Sequence, residues 1–401
     1  MAIRANPEHE GTHRHARFLL PGPTREGEFR SACGDFHGRG DAPQMGAMTL
    51  VQDPFRSKQA FREAFESGLE RLLEDEDGLG PFILVLANAT FDPAIDERLR
   101  HRLVRRFNEL AEHCRRVFAA GREPDEPPDD LTVFLKLMAI GFEAVEPRRR
   151  RLVGPWEIQF NQVRSLRPKR AAGERLTGIR APFDARAFHF NKPFLRRETF
   201  WSGSLAGLDL DLLYNKFPFA DLHALLVPQR RSNEPQFLTE VRHREVWDLC
   251  ERLAPRLPGV GFGYNSYGAL ASVNHLHFQM FVREHPLPVA ADRWRHNGGD
   301  EPYPARCERF GAVQVAWERI AGLHAEEISY NLIYLPGSLL CLPRQRQGAY
   351  PVPDWCGGQA WYEMAGGVVA FNVDDFRGLS SANVHAALAA TADGIGGASG
   401  R

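Results

Sequence analysis

Residues 259–283 read GVGFGYNSYGALASVNHLHFQMFVR and join a glycine-rich segment to a segment with two histidines. In the second segment His275, His277 and Gln279 alternate with apolar residues. Alternation with period two predicts a half-buried β-strand, on which every second side chain lies on the same face. We therefore predict that both imidazoles and the carboxamide share one face, while the apolar residues between them pack into a core.

This polar face carries the groups that chemistry on a phosphate requires. A neutral imidazole is a nucleophile near pH 7 and can form a covalent intermediate, while a second imidazole and an amide can donate hydrogen bonds to phosphoryl oxygens. Asn265 and Ser272 lie just upstream and can bind phosphate oxygens or the imidazoles. A His-x-His pair is also compatible with half of a metal site or with an exposed pair. Because the same strand face carries no third His, Cys or Asp, we predict no metal.

Composition and charge exclude several classes of protein. The chain has 401 residues, of which 43% are hydrophobic and 25% charged, as in soluble globular proteins. Its net charge of −1 argues against nucleic acid as a partner. Six scattered cysteines form no Cys-x-x-Cys motif, so they predict reduced thiols and a cytoplasmic location. With no apolar run of membrane-spanning length and no signal peptide, we predict no membrane partner.

The chain divides by pattern into a polar start, a helical region and a β-rich remainder. Residues 1–47 are rich in Arg, Gly, Pro and His and are predicted to be disordered, with Met48 as a candidate translation start. Residues 48–150 have mainly helical periodicity, interrupted by the apolar run 82–86, which we interpret as a buried strand. The following arginine run, 148–151, is either a solvated domain edge or an anion-attracting rim.

The β-rich remainder contains an internal likeness. One predicted apolar strand ends at Pro228 and is followed by basic residues, and a second predicted strand ends in the same way at Pro343. This predicts two related halves, 151–300 and 301–390, of which only the first keeps the histidines. Residues 361–371 are predicted to be β, and residues 391–401 to be a frayed tail.

Two motifs stand out in the β-rich region, Tyr264-Asn265-Ser266-Tyr267-Gly268-Ala269 and Asn274-His275-Leu276-His277-Phe278-Gln279. They closely resemble motifs of the GDP-hexose phosphorylases. These are the GDP-L-galactose and GDP-D-glucose phosphorylases of the histidine-triad superfamily, in the branch with galactose-1-phosphate uridylyltransferase. The similarity extends over roughly residues 156–385, through Phe188-His189-Phe190-Asn191-Lys192, Asn215-Lys216-Phe217-Pro218, His223-Ala224-Leu225-Leu226-Val227-Pro228 and Trp361-Tyr362-Glu363-Met364.

The resemblance implies a fold and a reaction. The fold is α+β, with two histidine-triad-like halves of mainly antiparallel sheet flanked by helices, after a mostly helical N-terminal region. In the implied reaction His277 attacks the α-phosphorus of a nucleoside diphosphate sugar, with His275 and Gln279 binding the phosphoryl oxygens. Inorganic phosphate then releases the nucleoside diphosphate, and no cofactor takes part. The implied substrate-binding residues are Asn215, Lys216, Asn265, Ser272 and Asn274, and the protein is expected to be a monomer or homodimer.

Two alternatives remain open. The dinucleoside tetraphosphate phosphorylases share segments like 215–218 and 223–227. A nucleotide-binding regulator that has lost catalysis would keep the same strand. The uridylyltransferases usually have proline where Leu276 stands, which argues against them. His223 is either a structural histidine among apolar neighbours or, as the resemblance implies, a residue near the nucleotide.

Overall fold

The computed structural model of the chain describes residues 53–168, 176 and 178–392. The predicted disordered segment 1–47 and residues 393–401 of the predicted tail lie outside these ranges. Among the described residues, no helix combines the length and the apolar character needed to cross a membrane.

Four helices follow one another at the start of the described chain. They are α1 (Lys58–Asp75), α2 (Leu79–Phe91), α3 (Pro93–Ala119) and α4 (Pro128–Ile140). The hydroxyl of Ser57 caps α1, and the carboxylate of Asp92 caps α3, where Pro93 occupies the first helical position. The predicted mostly helical N-terminal region is therefore confirmed.

The predicted strand at residues 82–86 is wrong, because this run lies inside helix α2. The helix is buried on all sides and packs against α1, α3 and α4. A helix surrounded by other helices has no polar face, so its sequence lacks the 3.6-residue period that distinguishes it from a buried strand. Pro81 stands in its first turn, where a missing N–H costs no intrahelical hydrogen bond.

Eleven strands form two sheets in the described chain. They are β1 (Arg149–Val153), β2 (Trp156–Phe160), β3 (Thr199–Leu205), β4 (Leu208–Tyr214), β5 (Ala224–Pro228), β6 (Val260–Asn265), β7 (Phe278–Val282), β8 (Glu308–Phe310), β9 (Ser329–Leu335), β10 (Ser338–Arg344) and β11 (Gly367–Ala370). The main sheet has the order β3-β4-β5-β7-β6-β9-β10-β8, and its neighbouring strands are antiparallel. In the small sheet β2 pairs with β1 antiparallel and with β11 parallel.

Six further helices complete the described chain. They are α5 (Gln162–Ser165), α6 (Glu240–Leu253), α7 (Val313–Ala325), α8 (Trp361–Met364), α9 (Val373–Gly378) and α10 (Ser381–Ala390). The predicted β segment 361–371 is therefore wrong at its start, where α8 lies, and right for β11.

The main sheet separates two hydrophobic cores. Phe278 and Met280 of β7 belong to the first core, which also contains α1, α2, α6 and α7. Phe281 belongs to the second core, which contains α8 and the small sheet. This alternation places Gln279 on the side of α8, and the predicted α+β class with antiparallel sheet flanked by helices is confirmed. Strands β3–β7 and β8–β10 come from the two predicted halves and share one sheet, so the boundary between the halves stays a prediction.

Candidate active site

The two histidines precede strand β7 rather than lying within it. Pairing between β6 and β7 runs from Val260–Val282 to Gly263–Gln279 and ends there. Since β7 begins at Phe278, the prediction that the strand includes both histidines is wrong.

The side chain of Gln236 explains why the ladder stops. Its Oε1 accepts a hydrogen bond from the backbone N–H of His277 at 2.9 Å. Its Nε2 donates to the backbone oxygens of Asn265, at 2.9 Å, and His277, at 3.2 Å. The buried amide thus stands between the diverging ends of β6 and β7 and replaces their direct pairing. Extending the register by two residues places His277 opposite Asn265 on the α8 side of the sheet.

The imidazole of His277 has its tautomer fixed by the backbone. Its Nδ1 lies 2.8 Å from the carbonyl oxygen of His275 and must donate, which leaves the lone pair on Nε2. Within the described residues Nε2 makes no hydrogen bond. The ring is 5% exposed and lies against Phe190, with ring centroids 5.0 Å apart. Burial lowers the pKa of His277 to about 4, although the His275 carbonyl opposes this shift, so the ring is neutral at pH 7 and keeps the lone pair on Nε2.

His275 has the opposite tautomer. Its Nδ1 accepts a hydrogen bond from the backbone N–H of Phe190 at 3.1 Å, so the proton lies on Nε2. Burial, with smaller effects of His277 and His189, lowers the pKa of His275 to about 4, although the carbonyl of Arg230 opposes this shift. Nε2 is buried and has no partner of hydrogen-bond geometry among the described residues. A buried donor of this kind costs about 1–3 kcal/mol when unpaired, and a ligand oxygen would remove that cost.

The carboxamide of Gln279 is held by two donors. Its Oε1 accepts from the indole N–H of Trp361 at 2.9 Å and from Nε2 of His223 at 3.1 Å. His223 can donate there because its Nδ1 accepts the backbone N–H of Phe219 at 3.2 Å. Burial, with a smaller effect of Arg164, lowers the pKa of His223 to about 3, so this ring is neutral. Both lone pairs of Oε1 are occupied, which leaves the NH₂ group of Gln279 to donate.

Asn265 is held in the same way. Its Oδ1 accepts from the side-chain NH₂ of Asn331 and from the backbone N–H of Trp361, both at 2.8 Å. Asn331 also donates to the carbonyl of Ala269 at 3.1 Å. Gly263 lets Trp361 lie on β6, since a Cβ there would come within 2.2 Å of the indole. The glycine-rich strand therefore admits Trp361, whose indole N–H donates to Gln279 and whose backbone N–H donates to Asn265.

The structure uses Asn215 and Lys216 differently. Oδ1 of Asn215 accepts the backbone N–H of Phe217 at 3.1 Å, and its Nδ2 lies 3.4 Å from Nε2 of His223, beside the Gln279 cluster. Lys216 forms an ion pair of 2.6 Å with Asp130, next to α4. Lys216 is thus already paired with a carboxylate of the helical region.

Asn274 and Ser272 are also predicted to bind substrate, and the structure places them in different surroundings. Oδ1 of Asn274 accepts the backbone N–H of Gln236 at 2.9 Å, and its NH₂ donates to the carbonyl oxygens of Ala181, at 3.3 Å, and Pro182, at 2.7 Å. Asn274 therefore joins three loops around the histidines. Ser272 is exposed.

The arginine run 148–151 lies in and beside β1 and is engaged by the protein. Arg148 pairs with Asp221 and Arg150 with Glu157, which favours a domain edge over an anion-attracting rim.

Three side chains of this cluster were not predicted from the sequence. Gln236 stands in an irregular loop between Pro235 and Phe237, where no periodicity indicates its contacts. Trp361 falls in a segment that we interpreted as β. Asn331 is a polar residue inside the buried run of β9, and such an interruption is the signal that could have identified it.

No group of three or more His, Cys, Asp or Glu that could hold a metal occurs in the described ranges.

Sequence comparison agrees with the geometry. Residues 149–281 match the family model described as GDPGP1-like, N-terminal domain. This GDPGP1-like segment includes His275, His277 and Gln279. GDP-D-glucose phosphorylase 1 of Macaca fascicularis is 34% identical over 138 residues, which are 33% of this chain and 35% of that protein. GDP-L-galactose phosphorylase 2 of Arabidopsis thaliana is 29% identical over 151 residues, 33% of this chain and 34% of that protein. The predicted resemblance is confirmed.

The chain spans about a third of the length of the curated relatives it matches. A solved structure, the yeast Ap4A phosphorylase Apa2, aligns with 67% of this chain and 95% of its own, with a TM-score of 0.45 and 14% identity.

The low pKa of His277 leads to a testable pH dependence. Protonation of Nε2 removes the lone pair, so nucleophilic reactivity is lost only as pH falls through about 4. If this ring accepts a nucleotidyl group, the rate of attachment in single-turnover assays without phosphate should stay flat down to about pH 5. A decline centred near 6.5, the ordinary histidine pKa, would contradict this. Circular dichroism over the same range controls for unfolding.

Proposed function

We propose that this chain is a nucleotidyltransferase of the phosphorylase type, which converts a GDP-hexose and inorganic phosphate into hexose 1-phosphate and GDP. The observation that carries the proposal is the unprotonated Nε2 of His277, whose tautomer is fixed by the His275 carbonyl. Three groups of the same cluster, His275, Gln279 and Asn265, have their acceptor atoms engaged by the protein. The matched relatives named GDP-D-glucose and GDP-L-galactose phosphorylase support the choice of a GDP-linked sugar.

The reaction has two displacements at the α-phosphorus. In the first, Nε2 of His277 forms a bond to phosphorus, and the bond to the bridging oxygen breaks, so hexose 1-phosphate leaves with the electron pair. In the second, an oxygen of inorganic phosphate attacks the guanylyl group, and the phosphorus–nitrogen bond breaks to release GDP. The Nδ1 proton stays on the ring throughout. Its hydrogen bond to the His275 carbonyl stabilises the positive charge that the ring carries in the intermediate.

The protein assists by orienting donors, which is the main contribution that enzymes make to phosphoryl transfer. We assign this role to Nε2–H of His275 and to the NH₂ groups of Gln279 and Asn265. Each has its acceptor atom already bound by the protein, so the donor is left for phosphoryl oxygens.

The other predicted substrate contacts, Asn215, Lys216, Ser272 and Asn274, stay predictions. Lys216 would have to leave Asp130, and Asn274 would have to release the loops that it joins, to contact a ligand directly.

A cytoplasmic location is part of the proposal. The five cysteines of the described chain are unpaired, which supports a reducing compartment. A monomer or homodimer is the expected assembly.

The test is a substrate panel. The protein is incubated with GDP-glucose, GDP-L-galactose, GDP-mannose, UDP-glucose and diadenosine tetraphosphate, each with and without phosphate. We expect phosphate-dependent release of GDP from at least one GDP-hexose and, without phosphate, a protein mass increased by one guanylyl group.

Each alternative has its own outcome in this panel. Preferred cleavage of diadenosine tetraphosphate would identify the dinucleoside tetraphosphate phosphorylase activity instead. Nucleotide binding without turnover or adduct across the whole panel would identify a regulator.

A further inference from the structure

A chain of directed hydrogen bonds runs from strand β10 to Asn265. Nη1 of Arg344 donates to Oδ1 of Asn331 at 3.2 Å. The NH₂ group of Asn331 then donates to Oδ1 of Asn265 at 2.8 Å. The three residues thus connect the buried end of β10 to the position opposite His277.

Arg344 sets the donor-to-acceptor direction of this series of hydrogen bonds. A guanidinium can only donate, so the amide oxygen of Asn331 must face Arg344, and its NH₂ group must face Asn265. That NH₂ group also can only donate, so the oxygen of Asn265 must face Asn331. The NH₂ group of Asn265 is then the part left for a ligand. Without the donors from Asn331 and from the backbone of Trp361, the amide of Asn265 can turn by half a rotation, which would present an oxygen to a phosphoryl group and repel it.

Arg344 occupies an unusual environment for a cation. It is 1% exposed and makes no ion pair within the residues that the structure describes. Its remaining contacts are neutral acceptors, the carbonyl of Gln345 at 3.2 Å and the hydroxyl of Tyr350. Burial lowers the pKa of Arg344 to about 9, with Cys356 and Glu363 opposing, so it is still charged at pH 7. Burying a cation without a bound carboxylate is costly, and this cost is consistent with a role beyond packing.

We propose that Arg344 and Asn331 are positioning residues, which hold the amide of Asn265 with its NH₂ group directed at the phosphoryl group that reacts with His277. This inference rests on the proposed function and adds to it two residues from the second predicted half. Neither residue contacts substrate; both act through Asn265. Trp361 supports the same orientation, because its backbone N–H donates to Oδ1 of Asn265.

The decisive variant is Asn331→Asp. The carboxylate keeps the shape of the side chain and still accepts from Arg344, but it cannot donate to Asn265. We expect kcat for the GDP-hexose that the wild type uses to fall about 10- to 100-fold, since one oriented donor is lost. KM should rise by less than kcat falls, by about 3-fold at most, because only one of the contacts to the bound nucleotide is weakened.

A matched control exists at Asn297. Its Oδ1 also accepts from an arginine, Arg309 at 3.4 Å, and its NH₂ donates to the carbonyls of Val289 and Ala291, both at 2.9 Å. Asn297→Asp therefore makes the same chemical change remote from His277 and should leave kcat within about 2-fold of wild type.

A double-mutant cycle separates positioning from a general structural effect. If Asn331 acts through Asn265, then Asn265→Ala combined with Asn331→Asp should be no slower than Asn265→Ala alone. Multiplicative losses in the double variant would overturn the inference, as would Asn331→Asp with wild-type kcat.

Arg344 is tested by two replacements. Arg344→Met removes the donor that sets the direction, so it should lower kcat as Asn331→Asp does. Arg344→Lys keeps a group that only donates and should restore most of the rate. Equal activity of the two variants would overturn the role of Arg344.

A binding measurement distinguishes failure of the inference from failure of the proposed function. If the wild type turns over no GDP-hexose, the proposed function fails whatever the variants do. Calorimetric titration with GDP then tests, without turnover, whether Asn331 acts through Asn265. Equal weakening in Asn265→Ala, Asn331→Asp and the double variant supports it, and wild-type affinity in Asn331→Asp overturns it.

Discussion

Replacement of His277 by alanine is expected to abolish phosphate-dependent GDP release, with a loss on the order of 10⁴-fold or more. The variant lacks the atom that bonds to the α-phosphorus, so neither displacement can proceed by the covalent route. Two measurements check this: the initial rate of GDP release, and the protein mass after incubation with GDP-hexose alone. Both the rate and the guanylyl adduct should disappear.

His275→Ala and His296→Ala are the controls for this result. His275→Ala removes a donor but keeps the nucleophile, so it should lower the rate by roughly 10²–10³-fold while the adduct still forms. His296 bonds to the carbonyl of Val289 and lies outside the cluster around Gln236; its replacement should leave both readouts near wild type. An adduct that persists in His277→Ala would mean that another residue is the nucleophile.

The sequence was informative about the groups that we propose take part in the reaction and uninformative about the groups that hold them. His275, His277 and Gln279 lie close together along the chain, so one short pattern was enough to predict them. Their supports are distant in sequence: Gln236 is 41 residues from His277, and Trp361 is 82 residues from Gln279. No local period records such contacts, because they depend on how the strands and loops meet after folding.

The error about the histidine strand has the same origin. The period-two pattern from His275 to Met280 is real, and Phe278 and Met280 do pack into one core. The pattern contains no information about Gln236, whose side-chain amide comes from another loop and replaces the pairing of β6 with β7 at His277. Strand alternation predicts which face a residue occupies, but it does not predict where pairing ends.

Arg283→Met is expected to have the largest effect on stability. Nη2 of Arg283 lies 2.7 Å from Oε2 of Glu157, and both side chains are almost fully buried. Tyr362 donates to the other carboxylate oxygen at 2.7 Å, and Arg150 lies 2.9 Å away at a more exposed position. Removing Arg283 leaves the buried carboxylate of Glu157 with only the more exposed Arg150 as an ionic partner, so we expect a loss of about 3–5 kcal/mol in the free energy of unfolding. Urea denaturation at pH 7 measures it.

The double variant Glu157→Gln with Arg283→Met is the control for this interpretation. It removes both charges, and replacing a whole buried pair is often close to neutral. We expect it to recover most of the stability that Arg283→Met loses. Equal instability of the two proteins would show that packing of the Arg283 side chain, rather than the unpaired carboxylate, causes the loss.

The pH dependence of this loss follows from the charge on Glu157. Burial alone would raise the pKa of Glu157, but Arg283, Tyr362 and Arg150 outweigh it and lower the pKa. In the wild type this contribution to stability is therefore present above the unfolded pKa of about 4.3 and is lost as pH falls through the lower folded value. In Arg283→Met the effect of burial on Glu157 is opposed less, so the pKa of Glu157 in the folded variant rises. Protonation of Glu157 then removes the buried charge and recovers part of the lost free energy of unfolding.

The deficit of Arg283→Met should therefore shrink between pH 7 and about pH 5. A stability deficit that stays constant over this range would mean that Glu157 is already neutral in the variant or that Arg150 fully compensates its charge.

The same variant also tests how the candidate site is held. Tyr362 belongs to α8, and the neighbouring Trp361 holds both Gln279 and Asn265. If the contacts of Glu157 with Arg283 and Tyr362 hold α8 in place, the folded fraction of Arg283→Met should also release GDP more slowly than the wild type at pH 7. The double variant Glu157→Gln with Arg283→Met should regain that rate.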